Sequence, residues 1–198
     1  YLDTSGVSST NASEVLRGDD LSPAMKARGI SMRQTVNLSI RYGFFNMSDP
    51  DWGGYTPEKK KLRQAVSLAT NSQAILDIFN RGKGVLAQSM LAPGIAGYDP
   101  EYRNPYRQFD PSLKRAKQLL AEAGYPGGRD KSGKVLTLTL DAQASGSPQT
   151  LALFELMRRQ IAQLGIKAEL RLTRYSEWQD KIKNGNFQFS PMYGWFAD

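Results

Sequence analysis

Residues 135–198 constrain the fold more than any other stretch. Val135 to Asp141 reads as a strand, and Ser147-Pro148 opens a helix carried by Phe154, Met157, Ile161 and Leu164 and stopped by Gly165. Ile166 to Thr173 is the next strand, a short helix around Trp178 and Ile182 ends near Gly185, and Phe187, Phe189 and Pro191 alternate into a terminal strand. Strand, helix, strand, helix, strand calls for right-handed crossovers and parallel pairing, which makes the chain α/β.

The preceding residues supply the cover for such a sheet. Residues 1–32 are polar and irregular, with a capping-box-like Asn11 three before Glu14 and a helix start at Ser22-Pro23 that ends at Gly29. Val36, Leu38, Ile40, Tyr42 and Phe44 alternate with polar residues, which predicts a long half-buried strand ended by the turn-rich DPDWGG at 49–54. Thr56-Pro57 starts a helix whose Leu62, Ala65, Val66 and Ala69 share one face, so its lysines are expected in water. Asn71 or Ser72 caps a second helix that Gly82 can end. Residues 83–109 are rich in Pro and Gly and read as a long ordered loop, after which Asp110-Pro111 opens a helix through Leu113, Ala116, Leu120 and Ala123 to Gly124. That loop is the best candidate for a domain boundary, but neither half owns a complete core, and a single domain is the preferred reading.

The sequence contains no cysteine and no histidine, which removes disulfides, thiolate and imidazole ligands, His-based triads and thiol catalysis. No catalytic residue and no metal site is assigned. The net charge of +7 raises nucleic acid as a partner, yet Lys and Arg are spread along the chain and only Lys59, Lys60, Lys61 and Arg63 cluster. A solvated helix face is the simpler account, and no nucleic acid partner is expected. No apolar run approaches the length of a membrane span, and the residues from Tyr1 lack the basic start and apolar stretch of a signal peptide.

Other motifs weaken on inspection. Gly82-Lys83-Gly84 follows a helix rather than a strand, so a helix stop outweighs a dinucleotide loop. The run from Gly128 to Val135 misses a phosphate loop, because Val135 replaces the hydroxyl and a strand follows. Asp49 with Asp51, and Asp19 with Asp20, lack the remaining ligands of a calcium loop. Tyr102, Tyr106 and Phe109 among arginines read as a turn segment packing its own aromatics rather than as a base-stacking platform. The terminal strand is different. Phe187 and Phe189 suit a core, whereas Gly194 beside Trp195 would let a ligand backbone approach, and Asp198 would supply a charge for a cationic group.

FNMSDP, KKLRQAVSLATNSQAILDIFNRG, LAPGIAGYDP, FDPSLKRAKQLLAEAGYPGG, LGIKAEL and GWFAD occur in this order between residues 36 and 198. Together they resemble the bacterial extracellular solute-binding proteins of family 5, the peptide-binding components of ABC importers. The resemblance implies one lobe of a type II periplasmic-binding-protein-like fold, a mixed sheet with flanking helices, spanning residues 1–198 as a single incomplete lobe with 1–32 as lead-in. It implies a monomer without cofactor, periplasmic or a cell-surface lipoprotein in a Gram-positive source, that passes a peptide or peptide-like solute to permease subunits. A non-peptide solute such as a sugar, opine, metal chelate or antibiotic is the alternative. By the same resemblance Asp198 receives the peptide ammonium group, Gly194 and Phe196 pair with the peptide backbone, Trp195 lines a side-chain pocket and Tyr175 lines the cleft. The basic residue that meets a peptide carboxylate in some relatives has no counterpart here beyond the nearby Lys181 and Lys183. Pro191 interrupts strand pairing, so a bulge is expected there.

Overall fold

The structure, a computed structural model, describes residues 12–18, 20–33, 36–80, 84–144 and 147–196. The chain divides into two units, Tyr1–Asn37 and Leu38–Asp198. In the first, α1 (Ala12–Val15) leads into a two-stranded antiparallel pair, β1 (Leu16–Arg17) and β2 (Asp20–Leu21), followed by α2 (Pro23–Ala27). Ser22 precedes Pro23 in extended backbone, and the chain leaves the helix at Gly29 with φ 74°, as the Ser-Pro and Gly signals predict. Asn11 and Asp19 lie outside the described residues.

The second unit opens with β3 (Ser39–Phe45), which starts later than the alternation predicts because its ladder begins where Ser39 meets Phe196. Val36 and Leu38, without a ladder, are exposed. Next come α3 (Pro57–Ala69), whose N-cap Thr56 accepts from the Lys59 N–H, and α4 (Ser72–Phe79), capped by Asn71 through the Ala74 N–H. Gly82 and Lys83 lie outside the described residues. Residues 84–113 contain no helix or strand, in agreement with the loop reading. The helix expected from Asp110 begins instead as α5 (Lys114–Glu122). Asp110 spends its carboxylate on the Ser112 N–H and hydroxyl, and buried Leu113 turns at φ 53°, so the first residues form a turn. After a short 3-10 turn at Pro126–Gly128 follow β4 (Thr137–Gln143), α6 (Pro148–Ala162), β5 (Lys167–Thr173), α7 (Tyr175–Lys183) and β6 (Phe189–Phe196). The expected strand, helix, strand, helix, strand succession is present.

The strands order as β3-β6-β4-β5, with β4 parallel to β5 and to β6 and β3 antiparallel to β6. This is a mixed sheet. Its handedness separates the helices: α6 carries the chain from β4 outward to β5, and α7 carries it back past β4 to β6. Two right-handed crossovers in opposite directions place their helices on opposite faces. On the α6 face, Leu138, Leu140, Ala142 and Phe189 meet Leu62, Val66, Leu119, Leu120, Phe154 and Ile161 in the main core.

Two features of that core were not legible in the turn chemistry. Trp52 of DPDWGG is fully buried, stacked on Phe45 with centroids 5.9 Å apart, and its indole N–H donates to the Thr137 carbonyl at 2.8 Å. Arg63 donates to the carbonyls of Trp52 (2.6 Å) and Gly54 (2.9 Å), and the Lys59 ammonium donates to those of Pro50 and Asp51. Two of the clustered basic residues therefore hold this loop rather than merely facing water. In the turn from Gly128 to Val135, the Asp130 carboxylate takes the N–H groups of Ser132 and Lys134, so those donors are turned inward, away from any phosphate.

Candidate functional site

The other sheet face is built on β6, and its geometry follows from how β6 is held. Asn46 donates its side-chain amide to the carbonyls of Gly185 (2.8 Å) and Phe187 (3.0 Å), fixing the entry into the strand. β6 then pairs with β4 at one register position, Leu140 opposite Phe189. On either side of that position side chains replace the ladder: Gln188 accepts the Thr139 N–H at 2.9 Å, and the Trp178 indole donates to the Asp141 carbonyl at 3.2 Å. Beyond Phe189 no further pairing joins β4 and β6 among the described residues, at the point where strand order reverses, which is where open α/β sheets bind ligands.

The bulge expected at Pro191 is present. Between the paired positions Tyr42–Tyr193 and Phe44–Ser190, β3 advances two residues and β6 three. Gly43 lies opposite: a Cβ there would come within 2.8 Å of the Phe189 ring and 3.1 Å of the Pro191 carbonyl. The extra residue turns the strand over. Phe189 points to the core, and after the bulge Tyr193 and Trp195 share the opposite face with their partners Tyr42 and Ile40.

An aromatic wall results. Tyr193 stacks on Trp178 (5.8 Å, 28°) and meets Tyr42 (5.7 Å) and Phe44 (5.8 Å) edge-on, while Phe44 meets Phe187 (5.4 Å) and Trp178 stacks on Tyr175 (6.1 Å). Trp178 is buried, whereas Tyr175, Tyr193 and Trp195 are 53%, 40% and 43% exposed. Beneath the wall Asp141, 1% exposed, accepts from the Lys181 ammonium at 2.9 Å. Among the described residues its second oxygen has no partner, nor does the buried hydroxyl of Ser190, the next residue along β6 from Phe189.

The residues expected to form the site are placed as follows. Tyr175 is the first residue of α7, and its hydroxyl accepts from Gln179 at 2.8 Å. Gly194 stands opposite Arg41 and Trp195 opposite Ile40, while the backbone of Phe196 ends β6 opposite Ser39. Asp198 lies outside the described residues. Tyr175 and Tyr193 are joined through Trp178. Tyr42, Trp178 and the Asp141–Lys181 pair were missed, and only an acid inside the apolar run VLTLTLDA hinted at the last. No group of His, Cys, Asp and Glu suited to a metal occurs among the described residues, and no helix among them is long and apolar enough to cross a membrane.

The profile of the bacterial extracellular solute-binding proteins, family 5 Middle, matches residues 9–198. The dipeptide-binding protein of Escherichia coli K12 is 25% identical over 179 residues, covering 90% of this chain and 31% of its own length. Heme-binding protein A of Haemophilus influenzae is 27% identical over 170 residues, covering 85% and 28%. The chain thus spans less than a third of the length of these curated relatives. Among solved structures, the dipeptide-binding protein from Pseudoalteromonas sp. SM9913 in complex with Met-Leu superposes with a TM-score of 0.68 at 26% identity, over 96% of this chain and 33% of its own. The oligopeptide-binding protein AppA from Bacillus subtilis in complex with a nonapeptide gives 0.69 at 25%, over 82% and 32%. The mixed sheet is thereby that of the type II periplasmic binding proteins. This chain belongs to the bacterial extracellular solute-binding proteins of family 5.

Proposed function

We propose that this chain forms one wall of the solute cleft in an ABC-importer receptor, and that the solute is a peptide or peptide-like molecule. The observation that carries the reading is that β6 beyond Phe189, paired with β3 along one edge, has no ladder to β4 on its other edge among the described residues, and bears Tyr193, Gly194 and Trp195 there. An extended peptide adds to such an edge through main-chain hydrogen bonds to Gly194 and Phe196, a mode indifferent to its sequence. Trp195 packs on a peptide side chain, Tyr175 borders the cleft, and Asp198 neutralises the terminal ammonium. The names of the dipeptide- and oligopeptide-binding relatives support this choice of solute. The receptor works outside the cytoplasmic membrane, in the periplasm or as a cell-surface lipoprotein, and hands the solute to permease subunits. Binding and release need no catalytic group.

Calorimetric titration of the full-length protein with short peptides tests this. N-terminal acetylation and Asp198→Ala are each expected to weaken binding by about 100-fold, the order of a lost charge-assisted hydrogen bond. Tight binding that survives both changes removes Asp198 from the site. A non-peptide solute is the second reading, favoured by the heme-binding relative; saturable binding of hemin with no response to any peptide would select it.

A further inference from the structure

The outer edge of β3 and the segment after residue 84 border an open cavity of about 230 Å³, lined in part by Ile40, Tyr42, Gln88, Asn104 and Arg107. Arg107 is half-buried, and burial alone pulls its guanidinium below the ordinary arginine value, with no charged neighbour contributing. Among the described residues no carboxylate or carbonyl accepts from its side chain. A partly desolvated cation without a counter-charge among the described residues costs stability that an anionic partner would return.

Its neighbours are arranged in the same sense. The Gln88 side-chain oxygen accepts the Asn104 N–H at 3.0 Å, and the Asn104 side-chain oxygen accepts the Tyr106 N–H at 2.9 Å. A backbone N–H can only donate, so these bonds fix both amide orientations and leave both NH₂ groups as donors. None of those donors has an acceptor among the described residues. Among the described residues no Asp or Glu lines the cavity. The surplus is therefore of donors around a single positive charge. A carboxylate matches it in charge and in the planar two-point geometry of a guanidinium, whereas a dianion would stay half neutralised. The volume suits the end of a ligand rather than a whole one, and Tyr42 belongs both to the cavity and to the aromatic wall.

We infer that this cavity is a carboxylate subsite, in which Arg107, flanked by Gln88 and Asn104, receives a carboxylate of the solute. The inference rests on the solute-receptor reading above. The carboxylate is either the terminus of a peptide or an acidic side chain, and the two are separable.

The full-length protein and its Arg107→Gln variant are titrated with Ala-Ala, Ala-Ala-Ala and Ala-Glu-Ala, with their C-terminal amides, and with Ala-Gln-Ala. Removing the carboxylate that occupies the cavity is expected to weaken wild-type binding about 10- to 100-fold and to leave Arg107→Gln unaffected, since its partner is already gone. A penalty on amidation assigns the terminus, and a penalty on replacing Glu by Gln assigns the side chain. Equal penalties in both proteins, or none in the wild type, overturn the subsite while leaving peptide binding intact. Should no peptide bind the wild type, the peptide reading fails, and the Arg107 Nε–H resonance, identified by its absence from Arg107→Gln, decides the subsite. A saturable shift with acetate that phosphate does not reproduce upholds it; no shift with acetate, or an equal one with phosphate, overturns it.

Discussion

At the residue scale the buried pair beneath the aromatic wall carries the sharpest consequence. Asp141 is 1% exposed and Lys181 supplies its counter-charge, so Lys181→Met strands a carboxylate in the sheet. Such a loss costs about 3–5 kcal/mol, and Asp141→Asn in the same chain should return much of it by removing the charge. Chemical denaturation of the two variants checks this: a double variant no more stable than Lys181→Met contradicts the account. Asp130 makes a prediction about pH. The Ser132 hydroxyl, helped by backbone N–H groups, holds its carboxyl below the ordinary value of 3.8. A carboxyl lowered on folding contributes stability that is fully present above pH 3.8 and is lost as pH falls through the lower folded value. Asp130→Asn should therefore lower the melting temperature slightly at neutral pH and converge on wild type in acid. Curves separated by a constant amount at every pH would show that the carboxylate is not the source. The group is exposed, so the effect is small.

At the element scale the register of β6 on β3 beyond the bulge determines which face Tyr193 and Trp195 present. Because side chains alternate along a strand, deleting Met192 removes the extra residue, restores simple pairing with β3 and leaves Tyr193 opposite Tyr42 and Trp195 opposite Ile40 on the same face, whereas a deletion beyond the bulge, such as that of Gly194, rotates Trp195 toward the core face. Peptide binding should survive the deletion of Met192, whereas the deletion of Gly194 should abolish it and move the tryptophan emission of Trp195 to shorter wavelength; loss of binding in both variants would mean that the facing of the rings is not what the bulge preserves. Gly43 makes the same point from β3: Gly43→Ala places a methyl group within 2.8 Å of the Phe189 ring, and a destabilisation of about 1–3 kcal/mol is expected from overpacking in thermal or urea unfolding. An unchanged midpoint would show that the ring can move aside. Much at this scale was legible in sequence. Pro191 marked the bulge, Thr56 and Asn71 marked helix starts, and Leu62, Ala65, Val66 and Ala69 marked a buried face, because each signal is local. Trp52 was not legible, since its partner Thr137 is 85 residues away and DPDWGG reads locally as turn chemistry alone.

At the scale of the whole molecule, a wall that leaves its ligand exposed on one side binds poorly, because little surface is removed from water. Residues 1–198 expressed alone are expected to hold the same peptides at least about 100-fold more weakly than the full-length protein, as measured by calorimetry. Equal affinity would place the whole site within this chain. By itself the sequence determined the elements of α/β type, the parallel pairing of strands joined through helices, the exclusion of cysteine and histidine chemistry and the family resemblance, because these rest on periodicity, composition and the order of short motifs. It also singled out Gly194 and Trp195 at the end of a strand. Only the tertiary structure decided that β6 lies between β3 and β4, that α7 covers the face opposite α6, that Trp178 links Tyr175 to Tyr193, and that Arg107 faces a cavity with no counter-charge among the described residues. These are contacts between residues far apart in the chain, and the sequence encodes the propensity of each segment but not the partner that each side chain meets.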